Sequence, residues 1–317
     1  MNIRDFLISL QSEQAPIVTD LVKSLGILET AQFGFSSDYL RHEFEVQTED
    51  GDAAVRAING SIVATMSNSI LGSIQLPAIE RLVEIDKVLA KKWGGIQGFL
   101  NDKNRTMTYM RSILQLLAKA MIYGDNATHG VPGAFKGLHQ IAKANSNVVA
   151  QLSGASSSRT SIFAVHWSEG ETEVVMPQEA NGDVVQIELV GGGTLQAPTA
   201  NTVTNARQLV YGANFWTNAA LCAPSKASVA AITQIDSSHK PTAAQIDLLI
   251  DAVKGLADGN TFLYMNREGR RYLKELKNTK LSMAPGDTGY NTVVSDWDGI
   301  PVVLEESILS TETTALD

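Results

Sequence analysis

The stretch "MIYGDNATHGVPGAFKGLHQIA", Met121 to Ala142, places glycines at positions 124, 130, 133 and 137 directly behind a long apolar run. Two readings compete for it. A glycine-rich segment can cradle a phosphate when it joins a strand to the start of a helix, because successive N–H groups and the positive dipole end then face the anion. Alternatively, it marks where a long helix stops. The residues upstream decide. Met107, Met110, Leu114, Leu117 and Met121 recur at three-four spacing, while Arg105, Thr108, Ser112, Gln115 and Lys119 form the opposite stripe. This predicts a helix over 101–123, about 34 Å long. Gly124 supplies the left-handed residue that often ends a helix, and Pro132 is a further stop. The glycines therefore follow a helix instead of opening one, and Lys136 precedes Gly137 where a Walker loop has the reverse order. No phosphate site is expected.

Upstream of this helix the periodicity changes. Leu40, His42, Phe44 and Val46 alternate with Arg41, Glu43, Glu45 and Gln47, which predicts a strand. The acidic "EDGD", Glu49 to Asp52, reads as a hairpin turn, with Gly51 at the positive-φ position. The returning half is polar and serine-rich, so such a two-stranded ribbon buries too little to stand alone. It has to lie on something else. Met1 to Phe35 combines "DFLISLQ" with "VTDLVKSLGIL" and reads as an arm with little core of its own.

Downstream, Thr160 to Ile235 is strand-rich. The runs "TSIFAVHW", "TEVVMP", "DVVQIEL", "RQLVYGANFW" and "ASVAAITQID" are separated by "SEGE", by Asn181-Gly182 and by "GGGT", and predict long antiparallel strands. Thr242 and Gln245 have capping-box spacing ahead of a helix running to about Ala257, with Gly259 as its stop. The strand "TFLYM" leads to Asn266, a good N-cap, and to the helix "REGRRYLKELKN". A loop, the strand "GIPVVLEE" and a short polar tail close the chain. The expected fold class is α+β.

Composition narrows the chemistry. With 44% hydrophobic and 19% charged residues across 317 positions, the chain can bury a sizeable core. Its net charge of −9 opposes a protein that grips nucleic acid through lysine and arginine. No run of about eighteen apolar residues suits a membrane span, and Asp5 interrupts what would be the core of a secretory leader. Cys222, the one cysteine, lies among small apolar neighbours and reads as buried filler.

The remaining chemistry-bearing residues have structural readings. His129 and His139 are ten apart across a loop, and His42, His166 and His239 lie elsewhere without metal-ligand spacing. "EDGD" and "SDWDG" lack the spacing of a calcium loop and fit turn chemistry. "SGASSSRTS" has no nucleophile-elbow context. Arg267, Arg270, Arg271, Lys274 and Lys277 share a helical face opposite Tyr272, Leu273 and Leu276, but Glu268 and Glu275 interrupt it, so a solvated or subunit-contacting face is expected. No catalytic, cofactor-binding or metal-binding residue is assigned.

Taken in order, these pieces resemble the major capsid proteins of tailed bacteriophages, which have the Hong-Kong-97-type fold. The resemblance rests on "YLRHEFEVQTEDGDAAV" and its return, on the helix ending in Tyr123-Gly124, on "AFKGLHQIA" with Gly137-Leu138, on "TFLYMNREGRRYLKELKN" and on "WDGIPVVLEESIL". It implies an N-terminal arm at 1–35, a hairpin called the E-loop at 36–82, and a peripheral domain at 83–235 with a spine helix at 101–123 and long strands at 160–235. An axial domain at 236–317 completes it. The family's strands that usually follow "GIPVV" would here sit at 160–235, ahead of the axial unit. That order is similar to a podovirus-like subset, and "TSIFAVHWSEGETEVVMP" is the motif most like it. No lysine occurs between Ser36 and Ile85, so the Lys–Asn crosslink of some members is not expected. The absence of a long helical segment before the arm implies a separately encoded scaffolding protein.

The resemblance further implies a structural protein without catalysis or cofactor, assembling with itself into hexamers and pentamers of an icosahedral head. Scaffolding, portal and decoration proteins would be its partners, and it would enclose double-stranded DNA without sequence-specific binding. It implies no membrane, assembly in the host cytoplasm and residence in the virion. Two rivals stand beside it: an encapsulin-like nanocompartment shell, and a soluble enzyme using His129, His139 and the carboxylates of "SDWDG".

Overall fold

In the computed structural model the described residues are 25–36, 38–49, 55, 56, 58, 66–100, 103–154, 158–177, 185–198, 207–253, 259–280 and 296–312. Among the described residues the first elements are helix α1 (Gly26–Thr30) and strands β1 (Phe33–Phe35), β2 (Arg41–Glu49), β3 (Asn68–Gln75) and β4 (Ala78–Asp86). Helix α2 (Lys103–Tyr123) and the short α3 (Leu138–Ala144) follow. Next come β5 (Val148–Gln151), β6 (Thr160–His166), β7 (Glu173–Met176), β8 (Gln186–Pro198), β9 (Arg207–Asn218), β10 (Ala220–Cys222) and β11 (Val229–Ile235). The last part holds α4 (Ala243–Asp251), β12 (Thr261–Met265), α5 (Arg267–Lys280), β13 (Asp296–Trp297) and β14 (Ile300–Leu304). The mixture is α+β.

Helix α2 forms where the three-four spacing placed it. Its apolar stripe widens towards the C-terminus until Leu117, Ala118, Ala120, Met121, Ile122 and Tyr123 are all buried, whereas Thr108, Arg111 and Gln115 stay exposed. Gly124 ends it at φ 62°, with its N–H on the Ala120 carbonyl at 2.8 Å. An L-residue side chain is disfavoured in that left-handed conformation.

The central sheet has the order β13-β14-β12-β6-β11-β5. Its alternate residues enter two separate cores. Phe163, Val165, Ala231 and Tyr264 face α2 and α3, while Ile162, Ala164, Ile232, Leu263 and Met265 face α4 and α5. A strand covered on both sides needs a continuous apolar run, which is why "TSIFAVH" shows no alternation. Asn266 caps α5 by accepting the Gly269 N–H at 2.8 Å, and Thr242 caps α4 through Gln245, both as expected. Helix α4 is shorter than expected, ending at Asp251.

Several expectations about the strands are corrected. Those between Thr160 and Ile235 do not form one antiparallel set. Strands β6 and β11 lie in the central sheet, β7 pairs with β1 and β10, and β8 and β9 join β4. The expected boundary at 235/236 therefore cuts through a sheet, because β6 bonds directly to β12. The described strands on either side of Asn181-Gly182, β7 and β8, belong to different sheets, and the dipeptide itself lies outside the described residues. The "GGGT" glycines are not a break either. They sit inside β8, where the register to β9 shifts between Val190 and Leu195, as a bulge absorbs extra residues.

The segment expected as an arm is likewise revised for residues 25–35. Leu25, Ile27, Leu28, Ala31 and Phe33 are buried in the main core, and β1 pairs in parallel with β7. The polar tail packs as well: Ile308 is 2% and Glu312 1% exposed.

Candidate functional site

The feature that sets this chain apart from a self-contained fold is the ribbon β2–β3. Arg41 pairs with Gln75 and Val46 with Ile70, which fixes the register. The last pair is Glu49 with Asn68. A tight turn at Glu49 to Asp52 would pair residues much closer in sequence, so "EDGD" does not by itself join β2 to β3; residues 50–52 lie outside the described residues.

The root of the ribbon is tied to the body. Leu76 N–H donates to the Leu40 carbonyl at 3.0 Å, and Phe44 and Ile74 pack against the main core. Phe44 lies across Gly72, where a Cβ would sit only 2.5 Å from the ring, so glycine is what lets the ring lie flat. Further out the support ends. Ile70 is 61%, Leu71 69% and Met66 86% exposed, and Val55 and Ile58 are fully open. Among the described residues no third strand flanks the pair. Beneath the root, a groove of about 750 Å³ is bounded by Leu40, Phe44, Ile74, Phe135, Ile141 and Leu221, with Arg41, Asp125 and Lys136 at its polar rim. Apolar side chains in this number, on an element with no core of its own, mark a surface that another chain covers.

The body on which the ribbon stands is stiffened at the glycine loop. Gly124 and Gly137 touch backbone to backbone: a Cβ on either would lie 2.3 Å from the other's nitrogen. Contrary to expectation, Gly137 does open a helix, α3. Its N–H, however, is taken by Gln140 Oε1 at 3.1 Å, and the Gln140 amide donates to Asp125 at 2.8 Å. The N–H of Gly137 at the helix start is thus occupied by the protein itself.

Other residues weighed for chemistry are dispersed. His166 is buried and its Nδ1 meets Thr261 Oγ1 at 3.1 Å. His129 packs on Tyr123, ring centroids 5.8 Å apart, and burial, with Lys119 second, holds it below the ordinary histidine range. His139 is buried on α3, and His42 stacks near Phe44 in the ribbon. His239 pairs with Asp236 at 3.0 Å. In "SDWDG", Asp298 at φ 50° and Gly299 at φ 81° form a two-residue hairpin turn between β13 and β14. Among the described residues no three His, Cys, Asp or Glu side chains gather as a metal-holding group. Cys222 is buried, and burial, with Glu173 second, raises its thiol to about 12. On α5, Arg267 pairs with Glu306 and Arg271 lies over Tyr272 at 5.1 Å, so part of the basic face is spent within the chain.

Glu305 and Glu312 are among the buried carboxylates that escaped the sequence reading. Glu305 accepts the Ile27 N–H at 2.8 Å and so holds α1 against the end of β14. Glu312 accepts from the hydroxyls of Tyr123 at 2.8 Å and Ser161 at 2.9 Å. No sequence signal marks them, because burial of a carboxylate is settled by tertiary packing.

A structure of bacteriophage Epsilon15 is similar over 90% of this chain and 88% of its own, at 17% identity and a TM-score of 0.61. The bacteriophage JBD30 capsid matches over 85% of this chain and 89% of its own, at 12% identity and a TM-score of 0.47. A search of curated protein sequences gives no match. The first likeness establishes a shared fold. The sequence itself matches the family model "Major capsid protein GP7" over residues 10–315, so a chain whose ribbon lacks its own support belongs to the family of tailed-phage major capsid proteins.

Proposed function

We propose that copies of this chain build the icosahedral head of a tailed bacteriophage, as hexamers and pentamers in which each ribbon lies on a neighbouring subunit. The observation that carries this is the β2–β3 pair, anchored at its root and exposing Ile70, Leu71 and Met66 beyond it. Obligate interfaces of this kind commonly bury more than about 2,000 Å². The stability of the ribbon then belongs to the shell, not to the single molecule.

On this reading the ribbon is the E-loop and α2 is the spine, while residues 1–24 of the expected arm lie outside the described residues. The β4-β9-β8 sheet packs on α2 through Phe215 and Tyr109, ring centroids 5.4 Å apart, and serves as the peripheral sheet. The central sheet with α4 and α5 forms the axial part. The long strands precede α5 in the chain, in keeping with the rearranged strand order. Double-stranded DNA is enclosed without being gripped, in keeping with a net charge of −9. Scaffolding and portal proteins take part in assembly in the host cytoplasm, and decoration proteins are further candidates.

Deletion of residues 43–64 tests the proposal. The shortened chain should fold, keeping the signature of α2 and the central sheet, but sediment as small species instead of closed shells. Heads of normal size and number in electron micrographs of the deletion would refute the ribbon's role.

A further inference from the structure

Residues 305–312 run as a strap from the end of β14 to the end of α2, and a buried carboxylate fixes each end of it. Glu305 accepts the N–H groups of Ile27 at 2.8 Å and Ser307 at 2.9 Å. Glu312 accepts the hydroxyls of Tyr123 and Ser161, and the same Tyr123 oxygen receives the Leu309 N–H at 2.9 Å. The strap backbone is also bound, with Glu312 N–H on the Arg159 carbonyl at 3.1 Å. Ile308 fills the main core between these points.

The two acids differ in the kind of partner they have. A backbone N–H only donates, so a proton on Glu305 would displace one of its two bonds. A hydroxyl can turn: Ser161 can switch from donating to Glu312 to accepting from it, and the remaining contacts survive. We propose that Glu312 is the proton-binding latch of the strap, holding residues 309–312 on α2 and β6 when protonated and releasing them when ionised. The groups that face it are Tyr123 from α2, Ser161 from β6 and Arg159 just before β6. The Arg159 Nε is itself turned to the Gly154 carbonyl. Behind the Tyr123 ring lies His129, whose pKa is lowered by burial and then by Lys119. Glu306, on the strap itself, is paired outward with Arg267.

Burial is the leading cause that raises the Glu312 carboxyl from 4.5 to about 7, opposed by Tyr123, Ser161 and Arg159. The seated strap therefore holds its proton more tightly than the released one. Seating is strongest below pH 4.5 and is lost progressively as pH rises through about 7. This holds whether or not the chain sits in a shell.

Hydrogen exchange read by mass spectrometry on the full-length protein tests it, with rates corrected for intrinsic exchange between about pH 4.5 and pH 9. Protection of the strap amides should fall by up to tenfold per pH unit from about pH 4.5 to about 7 and level off above that, while the central sheet stays unchanged. In Glu312→Gln, which mimics the protonated acid, strap protection should be flat across the range. A flat wild-type profile, or a Gln variant with the wild-type slope, overturns the proposal. Should that variant not fold, infrared difference spectra of the wild type between about pH 6 and pH 9 decide the same question. Loss of a buried protonated carboxyl band supports the latch, and its absence refutes it.

Discussion

Alanine at three glycines of the 124–137 loop should separate two reasons for glycine that usually act together. Gly133 has φ 79° and no atom within 4 Å of the place a Cβ would occupy, so only its conformation resists a side chain. Left-handed backbone costs a non-glycine residue about 1–2 kcal/mol, offset by about 0.4–1 kcal/mol from a less free unfolded chain. Gly133→Ala should thus lose about 1 kcal/mol or less. At Gly137, φ is −84° and conformation is no obstacle, but the Cβ would meet Gly124 N at 2.3 Å and the Ile122 carbonyl at 2.7 Å. Overpacking against backbone costs about 1–3 kcal/mol. Gly124 combines both, with φ 62° and contacts at 2.3 Å to Gly137 N and 2.7 Å to the Phe135 carbonyl, so Gly124→Ala should lose about 2–4 kcal/mol. Equilibrium urea unfolding of dilute, unassembled protein reads these as shifts in midpoint at constant slope. The double variant at 124 and 137 should lose less than the sum, because one backbone displacement relieves both contacts. If Gly133→Ala costs as much as Gly124→Ala, crowding between the two strands of the loop is not what selects glycine there.

Three further outcomes follow from named contacts. Arg81→Ala removes the 2.6 Å bond from the guanidinium to Ser112 Oγ and its place 4.9 Å over the Tyr109 ring, loosening the β4-β9-β8 sheet from α2. A loss of about 1–2 kcal/mol in urea is expected, and Arg81→Lys should recover only part of it. Glu305→Gln turns an amide NH₂ towards one of the two N–H groups that its carboxylate accepts, and should cost about 1–3 kcal/mol, seen as faster exchange at the Ile27 amide. Cys222, buried with its thiol raised to about 12, should resist thiol reagents at mildly alkaline pH and react only after denaturation; prompt labelling of the native protein would contradict its burial.

The parts of this fold that sequence reveals are those decided by neighbours in the chain. The spacing from Met110 to Met121, the stop at Gly124 and the caps at Thr242 and Asn266 all depend on residues within a turn or two, and they lie where periodicity and capping chemistry put them. Strand partnership is different. Nothing in "TSIFAVHW" says that its neighbours are β11 and β12, because those lie far along the chain and any apolar strand offers the same backbone groups. The "EDGD" turn failed for a related reason: a favourable turn dipeptide proposes a register, but pairing from Arg41–Gln75 to Glu49–Asn68 sets it. At the candidate site, the ribbon's need for a partner was legible from its thin apolar content. The placement of Leu25, Ile27 and Phe33 in the core was not, since a short apolar stretch reads the same on an arm as inside a body. In the tail, Ile308 was the available hint of packing, and nothing local marked Glu312.

Helix α1 is held by the far end of the chain: Leu25 bridges to Glu305, and Gly26 is pressed against Val303 and Leu304 so closely that no side chain fits between them. During synthesis, then, this early segment must wait for residues past 305 to leave the ribosome before its site exists. A nascent chain cannot complete its body early, and closure depends on contacts across almost the whole polypeptide, which slows folding.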